Sequence, residues 1–360
     1  MYIKNHLINA FFYGMINVEM KGCDSRMGLL DALTTKLMKD EKTFADAFNF
    51  ALFDGEQVIK PEQLKELDTS VVAVPFAEDG SIEVSKRLRD IFKLLTIKTD
   101  GRVTLVLLGL ENQSFIHYAM PVKDMLYDAL NYTEQVEKIT KFNRDNGRFK
   151  DNDYSKNEYL SGMLKTDKIR PVITLVIYFG ADEWDAPKSL HEMFDIDDKR
   201  FLQFVPDYKI NLIAPSTIEF GEFDKFQTIL KKIMLYIKLS SDKKKLTEEV
   251  HSRPDYWSVE PAVGELMNVA TGSKLKLKIE GGMVSMTNAI DEIRAEGREE
   301  GREEGREEGR EEGRVEGREE GKDEMVEGMI QEGMPHDLIA KISKYSIERV
   351  NAIAARIATA

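Results

Sequence analysis

The sequence predicts an α/β fold in which helices flank a mixed β-sheet. Segments with strand-like and helix-like patterns follow one another in the order β-β-α-β-β-α, which is typical of such layered domains. The segment after Pro171 is a continuous apolar run of the kind found in a buried central strand. Hydrophobic residues make up 42% of the 360 residues, so the chain can bury a core.

The first helical pattern covers residues 29–53. Its apolar side chains are spaced by threes and fours at Leu33, Leu37, Phe44, Phe48 and Leu52. Asp54-Gly55 ends this pattern, and Pro61 is expected to open a short acidic helix. Residues 1–28 are mildly apolar but interrupted by polar residues, and no small-residue cleavage site follows. We therefore expect an N-terminal extension here rather than a signal peptide.

Residues 86–111 contain two strand-like runs around Asp100-Gly101. Asp-Gly between such runs is a strong hairpin signal, because a type I′ turn needs positive φ at both central residues. If Asp100-Gly101 is a two-residue loop, Thr99 pairs with Arg102, and paired positions have numbers that add to 201. The same register places Asp90 directly opposite Glu111.

The remaining main-domain elements follow in order. An amphipathic helix is predicted at 120–141, and a polar, loop-rich stretch with one short helix at 143–170. A second strand follows the Pro171 run, at 208–215, and another amphipathic helix covers 223–239. These segments complete the predicted mixed sheet and its flanking helices.

A charged repeat follows, in which glycine recurs at every fourth position from Gly297 to Gly321, mostly as Gly-Arg-Glu-Glu. Each Glu–Arg pair stabilises a helix by about 0.2–0.5 kcal/mol, whereas each glycine costs roughly 1 kcal/mol relative to alanine. Alone, this segment should be a marginal helix, and it has no apolar stripe for a coiled-coil seam. Two interpretations stay open: a solvated spacer, or a self-associating helix with close backbone approach along its glycines.

The last segment has two short helical patterns, at 337–343 and 347–357, with Ser346 placed as the N-cap of the second. It is interpreted as an oligomerisation cap, with a helix-turn-helix as the alternative. The predicted organisation is an N-terminal extension (1–28), a main domain (29–245), a connecting segment (246–290), the charged repeat as linker or helix (291–324) and a helical tail (325–360).

Charge and cysteine content exclude several classes of protein. The formal net charge of −13 argues against a general nucleic-acid binder, because the phosphate backbone demands cations. Residues 291–324 hold 16 acids and 8 bases, however, so the rest of the chain is only mildly acidic. The single cysteine, Cys23, excludes a disulfide framework and a thiolate zinc site, and fits a reducing cytoplasm. Apolar runs stay below the roughly 18 residues of a membrane span, so no membrane is expected.

The predicted pairing of Asp90 with Glu111 points to a metal site. Two carboxylates that face each other on apolar strands are destabilising unless a cation lies between them. Mg²⁺, held by one or two carboxylates and its own waters, is the natural candidate. Period-two alternation adds Gln113 to the same face. The alternative is a bulge that shifts the register and leaves both acids as solvated strand ends.

Asp90, the glycine-containing hairpin and the run Leu-Leu-Gly-Leu-Glu-Asn-Gln-Ser at 107–114 resemble the divided Asp…Glu-x-Lys signature of PD-(D/E)XK nucleases. The chain is similar to the Rpn (YhgA-like) recombination-promoting nuclease and putative transposase family, whose members carry Glu-x-Gln. Further matching blocks are Ala-Met-Pro at 119–121, Trp-Asp-Ala-Pro at 184–187 and Phe-Val-Pro-Asp-Tyr-Lys at 204–209. The likeness covers about 29–245 and the tail.

This resemblance implies a PD-(D/E)XK fold and a Mg²⁺-dependent DNA endonuclease that hydrolyses phosphodiesters with metal-activated water. Mn²⁺ and Ca²⁺ are further candidate ions. Carried over residue by residue, Asp90 and Glu111 would ligate the metal, with the carbonyl of Asn112 as a third oxygen. Gln113 stands where most of the superfamily has lysine, and it carries no charge.

Basic residues near these acids are candidate substrate contacts. Lys123 and Tyr127 lie four apart on the helix that follows and face the same way, so they could offer a cation and a hydroxyl to the substrate. The alternative is a solvent-facing lysine and a half-buried tyrosine. A basic margin also surrounds Asp90, formed by Lys86, Arg87, Arg89, Lys93 and Lys98. Of these, Arg87, Arg89 and Lys93 are expected to point away from the Asp90 face.

DNA is thus the expected partner, and a homo-oligomer through the repeat and tail is a further expectation. A different class of function stays open beside the nuclease. Because Gln113 is uncharged and the chain is acidic, the protein could be a catalytically silent nuclease-fold scaffold that binds DNA or another protein.

Overall fold

The computed structural model describes residues 25–67, 70–73, 85–88, 90–99, 102–150 and 154–358. The chain divides into two compact units, one up to Ala289 and one from Ile290 onward. The predicted N-terminal extension lies outside the described residues up to position 24, as do the turn residues Asp100-Gly101.

Two helices, α1 (Ser25–Lys39) and α2 (Glu41–Phe53), form where the sequence predicts one helical pattern. Asp40 separates them, because its side chain accepts a hydrogen bond from the backbone N–H of Thr43 at 2.8 Å and so caps α2. The predicted end of this region is confirmed. Asp54 has a φ of 56° and Gly55 a φ of 86°, and this left-handed backbone cannot continue a helix.

The short acidic helix predicted to open at Pro61 is present only as a three-residue 3-10 helix that contains Glu62. A single 3-10 turn, Pro61–Gln63, is followed at once by strand β1, Leu64–Glu66. This strand pairs antiparallel with the segment Ile91–Thr99. Pairing at a sheet edge overrides local helix preference here, which is a tertiary effect that the local sequence does not carry.

A five-stranded mixed sheet forms the centre of the first unit, with the strand order β1-β4-β5-β6-β7. Strands β2 and β3 form a separate antiparallel ribbon. The first two pairs of the central sheet are antiparallel and the other two are parallel, so the predicted mixed α/β architecture is confirmed. The strands are β2 (Ser70–Ala73), β3 (Ser85–Leu88), β4 (Ile91–Thr99), β5 (Arg102–Gln113), β6 (Val172–Tyr178) and β7 (Asn211–Ile213).

The predicted hairpin register is confirmed. Thr99 pairs with Arg102 and Ile91 pairs with Leu110, and every pair between them keeps the same sum of 201. The alternative of a bulge within this hairpin is therefore wrong. Because the register is uninterrupted, the residue before β4 comes to lie beside the end of β5.

Helix α3 (Met120–Asp145) covers one face of the sheet, where the sequence predicts an amphipathic helix. Its Tyr132 packs against a cluster of Phe92, Leu107 and Val172 from three neighbouring strands. The short helix expected in the polar stretch that follows is confirmed as α4 (Lys156–Ser161). The apolar run after Pro171 is confirmed as the interior strand β6.

Helix α5 (Leu230–Ser240) begins later than the predicted start at 223. Residues Phe220–Lys225 form a 3-10 turn instead. The side chain of Asp46 in α2 holds the chain in an irregular conformation just before α5. It accepts hydrogen bonds from the backbone N–H groups of Gln227 and Thr228, both at 2.9 Å, and from the Thr228 hydroxyl. This long-range contact has no local sequence signal.

The first unit continues with two helices and a small three-stranded sheet, in the order β8-β10-β9. Trp257 is fully buried in this part of the core, where its ring lies against those of Tyr236 and Tyr256. The elements are α6 (Lys243–Ser252), β8 (Ser258–Val259), α7 (Pro261–Thr271), β9 (Ile279–Glu280) and β10 (Met283–Ser285).

The charged repeat is helical. It lies within α8 (Met286–Gln331), which is followed by α9 (His336–Ser343) and α10 (Ile347–Ala358). Both ends of α8 are packed, since Met286 is buried at one end and Val326 at the other. This packing supplies the stability that the glycine-rich repeat lacks.

The tail forms a small core of its own, centred on Val326, Ile339, Val350 and Ile353. Both predicted tail helices are confirmed. Ser346 is confirmed as a cap, because its hydroxyl accepts a hydrogen bond from the Arg349 N–H at 3.3 Å. Among the helices that the structure describes, none is both long and apolar enough to cross a membrane.

Asp46 gives a test of the fold. Asp46→Ala should lower the free energy of unfolding by about 2–4 kcal/mol, because it removes a buried carboxylate and leaves the N–H groups of Gln227 and Thr228 and the Thr228 hydroxyl without their acceptor. Urea denaturation followed by circular dichroism measures this change. The matched control is Asp224→Ala, which removes an exposed carboxylate that pairs with Lys231 of α5. That change should cost less than about 1 kcal/mol. Equal losses in the two variants would contradict the role of Asp46 in holding Gln227 and Thr228 in place.

Candidate metal centre

The two predicted carboxylates come together at one end of the β4–β5 hairpin. Glu111 lies near the end of β5 and Asp90 immediately precedes β4, so the confirmed register places them side by side. The backbone N–H of Asn112 donates a hydrogen bond to Asp90 Oδ2 at 2.6 Å. Residues directly opposite each other in an antiparallel pair have Cβ atoms about 4.5–5.5 Å apart. The two carboxylates can therefore reach a common ligand.

Glu111 is buried, with 2% of its surface exposed, and its two oxygens differ in their partners. Oε2 lies 2.9 Å from Nζ of Lys123. Oε1 is buried and has no hydrogen-bond partner among the described residues. Buried carboxylate oxygens are almost always paired, so a buried oxygen without a partner indicates a position for a cation or a water.

Burial raises the pKa of Asp90 from its ordinary value of 3.8 to about 7, and the negative charge of Glu111 adds to this effect. The hydrogen bond from Asn112 and the positive charge of Lys123 act in the opposite direction. Asp90 and Glu111 thus repel each other in a poorly solvated place. A bound cation would relieve this repulsion.

Lys123 faces the carboxylates rather than open solvent, with 27% of its side chain exposed. Burial alone would lower its pKa, but the attraction of Glu111 outweighs burial and raises it, so Lys123 stays charged. Its Nζ lies 5.7 Å from the ring centroid of Tyr127, which is itself buried. The predicted common face of Lys123 and Tyr127 is confirmed, and the alternative of a solvent-facing lysine is wrong.

Gln113 and Asn112 are both buried beside the carboxylates. The Gln113 amide Nε2 donates a hydrogen bond to the backbone carbonyl of Asn112 at 3.0 Å. A carbonyl oxygen has two lone pairs, so this bond leaves the Asn112 carbonyl able to accept one more partner. The predicted role of that carbonyl as a third metal ligand stays a prediction.

Lys93 lies on the opposite face of the sheet, as expected from strand alternation. It is 1% exposed, its Nζ donates a hydrogen bond to the carbonyl of Lys39 at 2.9 Å, and it lies 4.9 Å from the ring centroid of Phe44. It therefore stabilises the end of α1 and does not form part of a DNA-facing margin. Arg89 and the side chains of Lys86 and Arg87 lie outside what the structure describes.

Two residues near the site were missed by the sequence analysis. Asp31 of α1 is hydrogen-bonded to Ser114, burial raises its pKa, and its charge contributes to the raised pKa of Asp90. His117 accepts a hydrogen bond from the Ala119 N–H at 3.2 Å, and burial followed by the charge of Lys123 lowers its pKa. Asp31 belongs to a distant helix, so no local pattern could indicate it. His117 could have been found beside the Ala-Met-Pro block.

The donor set fits a hard divalent cation. Within the described ranges, no group of three or more His, Cys, Asp or Glu side chains could hold a metal ion. Mg²⁺ does not need such a group, because it commonly binds one or two carboxylates and keeps several waters. Asp90, together with the unpaired oxygen of Glu111, satisfies this requirement.

The fold and the carboxylate pair define a mixed α/β domain with a candidate site for a hard cation. Residues 154–255 of this chain match the family model described as "Putative transposase, YhgA-like". This match confirms the predicted resemblance to the YhgA-like family. The matched residues contain β6, β7 and α5, while Asp90 and Glu111 precede them. No curated protein and no solved structure matched the chain.

Asp90→Asn tests the electrostatics of the site. The folded-state pKa of about 7 lies above the ordinary 3.8, so the folded chain holds the Asp90 proton more tightly than the unfolded chain does. The resulting contribution to stability is fully present below pH 3.8 and is lost as the pH rises through 7. The asparagine oxygen can still accept the Asn112 hydrogen bond. The variant should therefore match the wild type at pH 4 and be more stable by about 1–3 kcal/mol at pH 8.

Thermal unfolding at both pH values, without added metal, measures this difference. Asp145→Asn, at an exposed aspartate of α3, is the matched control for the change in charge. A variant that is no more stable than the wild type at pH 8 would contradict the raised pKa of Asp90 that burial and the charge of Glu111 produce.

Proposed function

We propose that the protein is a metal-dependent DNA endonuclease of the PD-(D/E)XK type, related to the recombination-promoting and transposase-like nucleases. One observation carries the proposal: Asp90 and Glu111 lie side by side in a buried place, and one Glu111 oxygen has no hydrogen-bond partner among the described residues. Paired carboxylates at a strand end are suited to hold Mg²⁺. The YhgA-like family match supports DNA as the substrate.

Asp90 and Glu111 would hold the ion, which is Mg²⁺ or else Mn²⁺ or Ca²⁺, with the Asn112 carbonyl as a third oxygen. When bound, such an ion activates a water molecule and stabilises charge on the phosphate. Asp90 must lose its proton to serve as a ligand, and the raised pKa makes this step pH-dependent near neutrality.

The usual PD-(D/E)XK signature has one lysine at this place, and here Gln113 and Lys123 together would take over its roles. Gln113 is held by the Asn112 carbonyl and can orient a water by hydrogen bonding, but it supplies no charge. Lys123 supplies a charged ammonium on the same side of the sheet, 2.9 Å from Glu111. The ring of Tyr127 lies beside it and its hydroxyl is a candidate substrate contact.

A second function class has support of its own. Gln113 is engaged with the backbone and Lys123 is engaged with Glu111, so the site is held together without a metal ion. These contacts favour a catalytically silent scaffold with a nuclease fold that binds DNA or a protein. Calorimetric titration with Mg²⁺ and Mn²⁺ separates the two classes. A nuclease site should show saturable metal binding in the wild type that is lost in Glu111→Ala. If the wild type shows no such binding, the scaffold is favoured.

Two further predictions concern the setting of this activity. We expect a homo-oligomer through the charged repeat in α8 and the tail helices α9 and α10, since the repeat is exposed. A cytoplasmic location is also expected.

The nuclease proposal is tested by plasmid nicking in Mg²⁺ buffer. Asp90→Asn and Glu111→Gln should each reduce nicking by roughly two orders of magnitude or more, because the bound metal supplies several kcal/mol of transition-state stabilisation. Glu134→Gln is the matched control, since Glu134 lies on α3 and pairs with the exposed Lys138. It should nick like the wild type. If both site variants cut as well as the wild type, the assignment is wrong.

DNA affinity gives a second, independent prediction. The chain is acidic, so its binding to a phosphate backbone should depend strongly on a cation in the site. Raising Mg²⁺ at constant ionic strength should strengthen binding of a labelled duplex in a fluorescence anisotropy assay. Unchanged affinity would count against a metal ion shared between protein and DNA.

A further inference from the structure

The ion pair between Lys123 and Glu111 occupies the same carboxylate that the proposed metal needs. Nζ of Lys123 lies 2.9 Å from Glu111 Oε2, and the carboxylate is almost fully buried. An ammonium at that distance is already a complete counter-ion for one carboxylate. Glu111 is buried beside Asp90, whose pKa is raised, and the chain itself therefore supplies Glu111 with a counter-ion.

A divalent cation bound to Glu111 would make the present position of the Lys123 ammonium less favourable. Mg²⁺ binds carboxylate oxygens at about 2.0–2.1 Å, so an ammonium on the same carboxylate would lie within a few ångströms of a double positive charge. Like charges at such separations repel strongly where water is scarce. Lys123 holds Oε2 and the ion would take Oε1, so the two cations share one carboxylate and each weakens the hold of the other on it.

We propose that Lys123 is a displaceable counter-ion: it neutralises Glu111 while the site holds no metal, and it gives up Glu111 to a divalent cation and turns to a phosphate of the DNA. This inference rests on the proposed nuclease function. It adds that metal affinity is reduced by a residue of the chain, so that the site binds its ion most strongly when a phosphate is present to accept Lys123.

The surroundings of Lys123 suit this exchange of partners. Its side chain is partly exposed, so its ammonium can reach solvent without unfolding α3. The Tyr127 ring lies near the ammonium and can keep the side chain close to the site after it leaves Glu111. A lysine suits such a role better than an arginine, because its ammonium is a compact charge on a flexible stem.

The first test measures Mn²⁺ affinity of the full chain by isothermal titration calorimetry. Lys123→Met keeps the apolar stem and removes the charge, so it should bind Mn²⁺ at least about tenfold more tightly than the wild type. Lys123→Arg keeps the charge and should show no such gain. Lys138→Met, at an exposed lysine of the same helix, is the matched control and should bind like the wild type.

The outcomes separate this inference from the nuclease proposal. Wild-type Mn²⁺ binding that is equal to or tighter than that of Lys123→Met would overturn the counter-ion role and leave the metal site standing. No saturable Mn²⁺ binding in the wild type or in Lys123→Met would overturn both.

Lys123→Met removes one partner of a buried ion pair and can lose stability, so a second measurement uses the wild type alone. Lysine acetylation by a water-soluble ester, read out by mass spectrometry, reports the accessibility of each ammonium group. Saturating Mn²⁺ should raise the acetylation rate of Lys123 several-fold and leave that of Lys138 unchanged. An unchanged or lower rate at Lys123 would contradict displacement.

The phosphate part of the inference is tested with Ca²⁺ and a labelled DNA duplex. Ca²⁺ should strengthen duplex binding by the wild type, and this gain should be largely lost in Lys123→Met. If Lys123→Met keeps the full Ca²⁺-dependent gain, Lys123 does not turn to phosphate.

Discussion

The pairing of β4 with β5 is the constraint on which the site depends. An uninterrupted register from Thr99–Arg102 to Ile91–Leu110 carries Asp90 to Glu111, so two carboxylates meet at a place with little water. Two effects reduce the negative charge at this place. Burial and repulsion raise the pKa of Asp90 to about 7, and Lys123 neutralises Glu111. Without these responses, two buried like charges would destabilise the hairpin that holds them.

The sequence predicted the elements whose signals are local. Asp-Gly turn chemistry and strand alternation were sufficient to place Asp90 opposite Glu111, and the four-residue spacing of Lys123 and Tyr127 placed both on one helix face. Elements controlled by distant contacts were missed. The chain just after Pro61 continues as the edge strand β1, because β4 is available to pair with it. Helix α5 started late because Asp46 holds the preceding residues. Asp31 joins the site from α1 and has no pattern of its own.

The two units show different sources of stability. In the first unit, a mixed sheet and its helices bury large side chains such as Trp257 and Phe44. In the second, local propensity predicted only a marginal helix for the glycine repeat, yet α8 is continuous. Its C-terminal part packs with α9 and α10 around Val326 and Ile339. Tertiary packing at the helix ends thus overcomes the unfavourable glycines, which summed propensities do not include.

The central claim is that Asp90 and Glu111 share one divalent cation. A crystal of the full chain soaked in Mn²⁺, with data collected at the manganese absorption edge, tests it most directly. We predict one anomalous peak in contact with oxygens of both carboxylates, with Lys123 Nζ withdrawn from Glu111. An intact Lys123–Glu111 ion pair with no anomalous peak at saturating Mn²⁺ would contradict the claim.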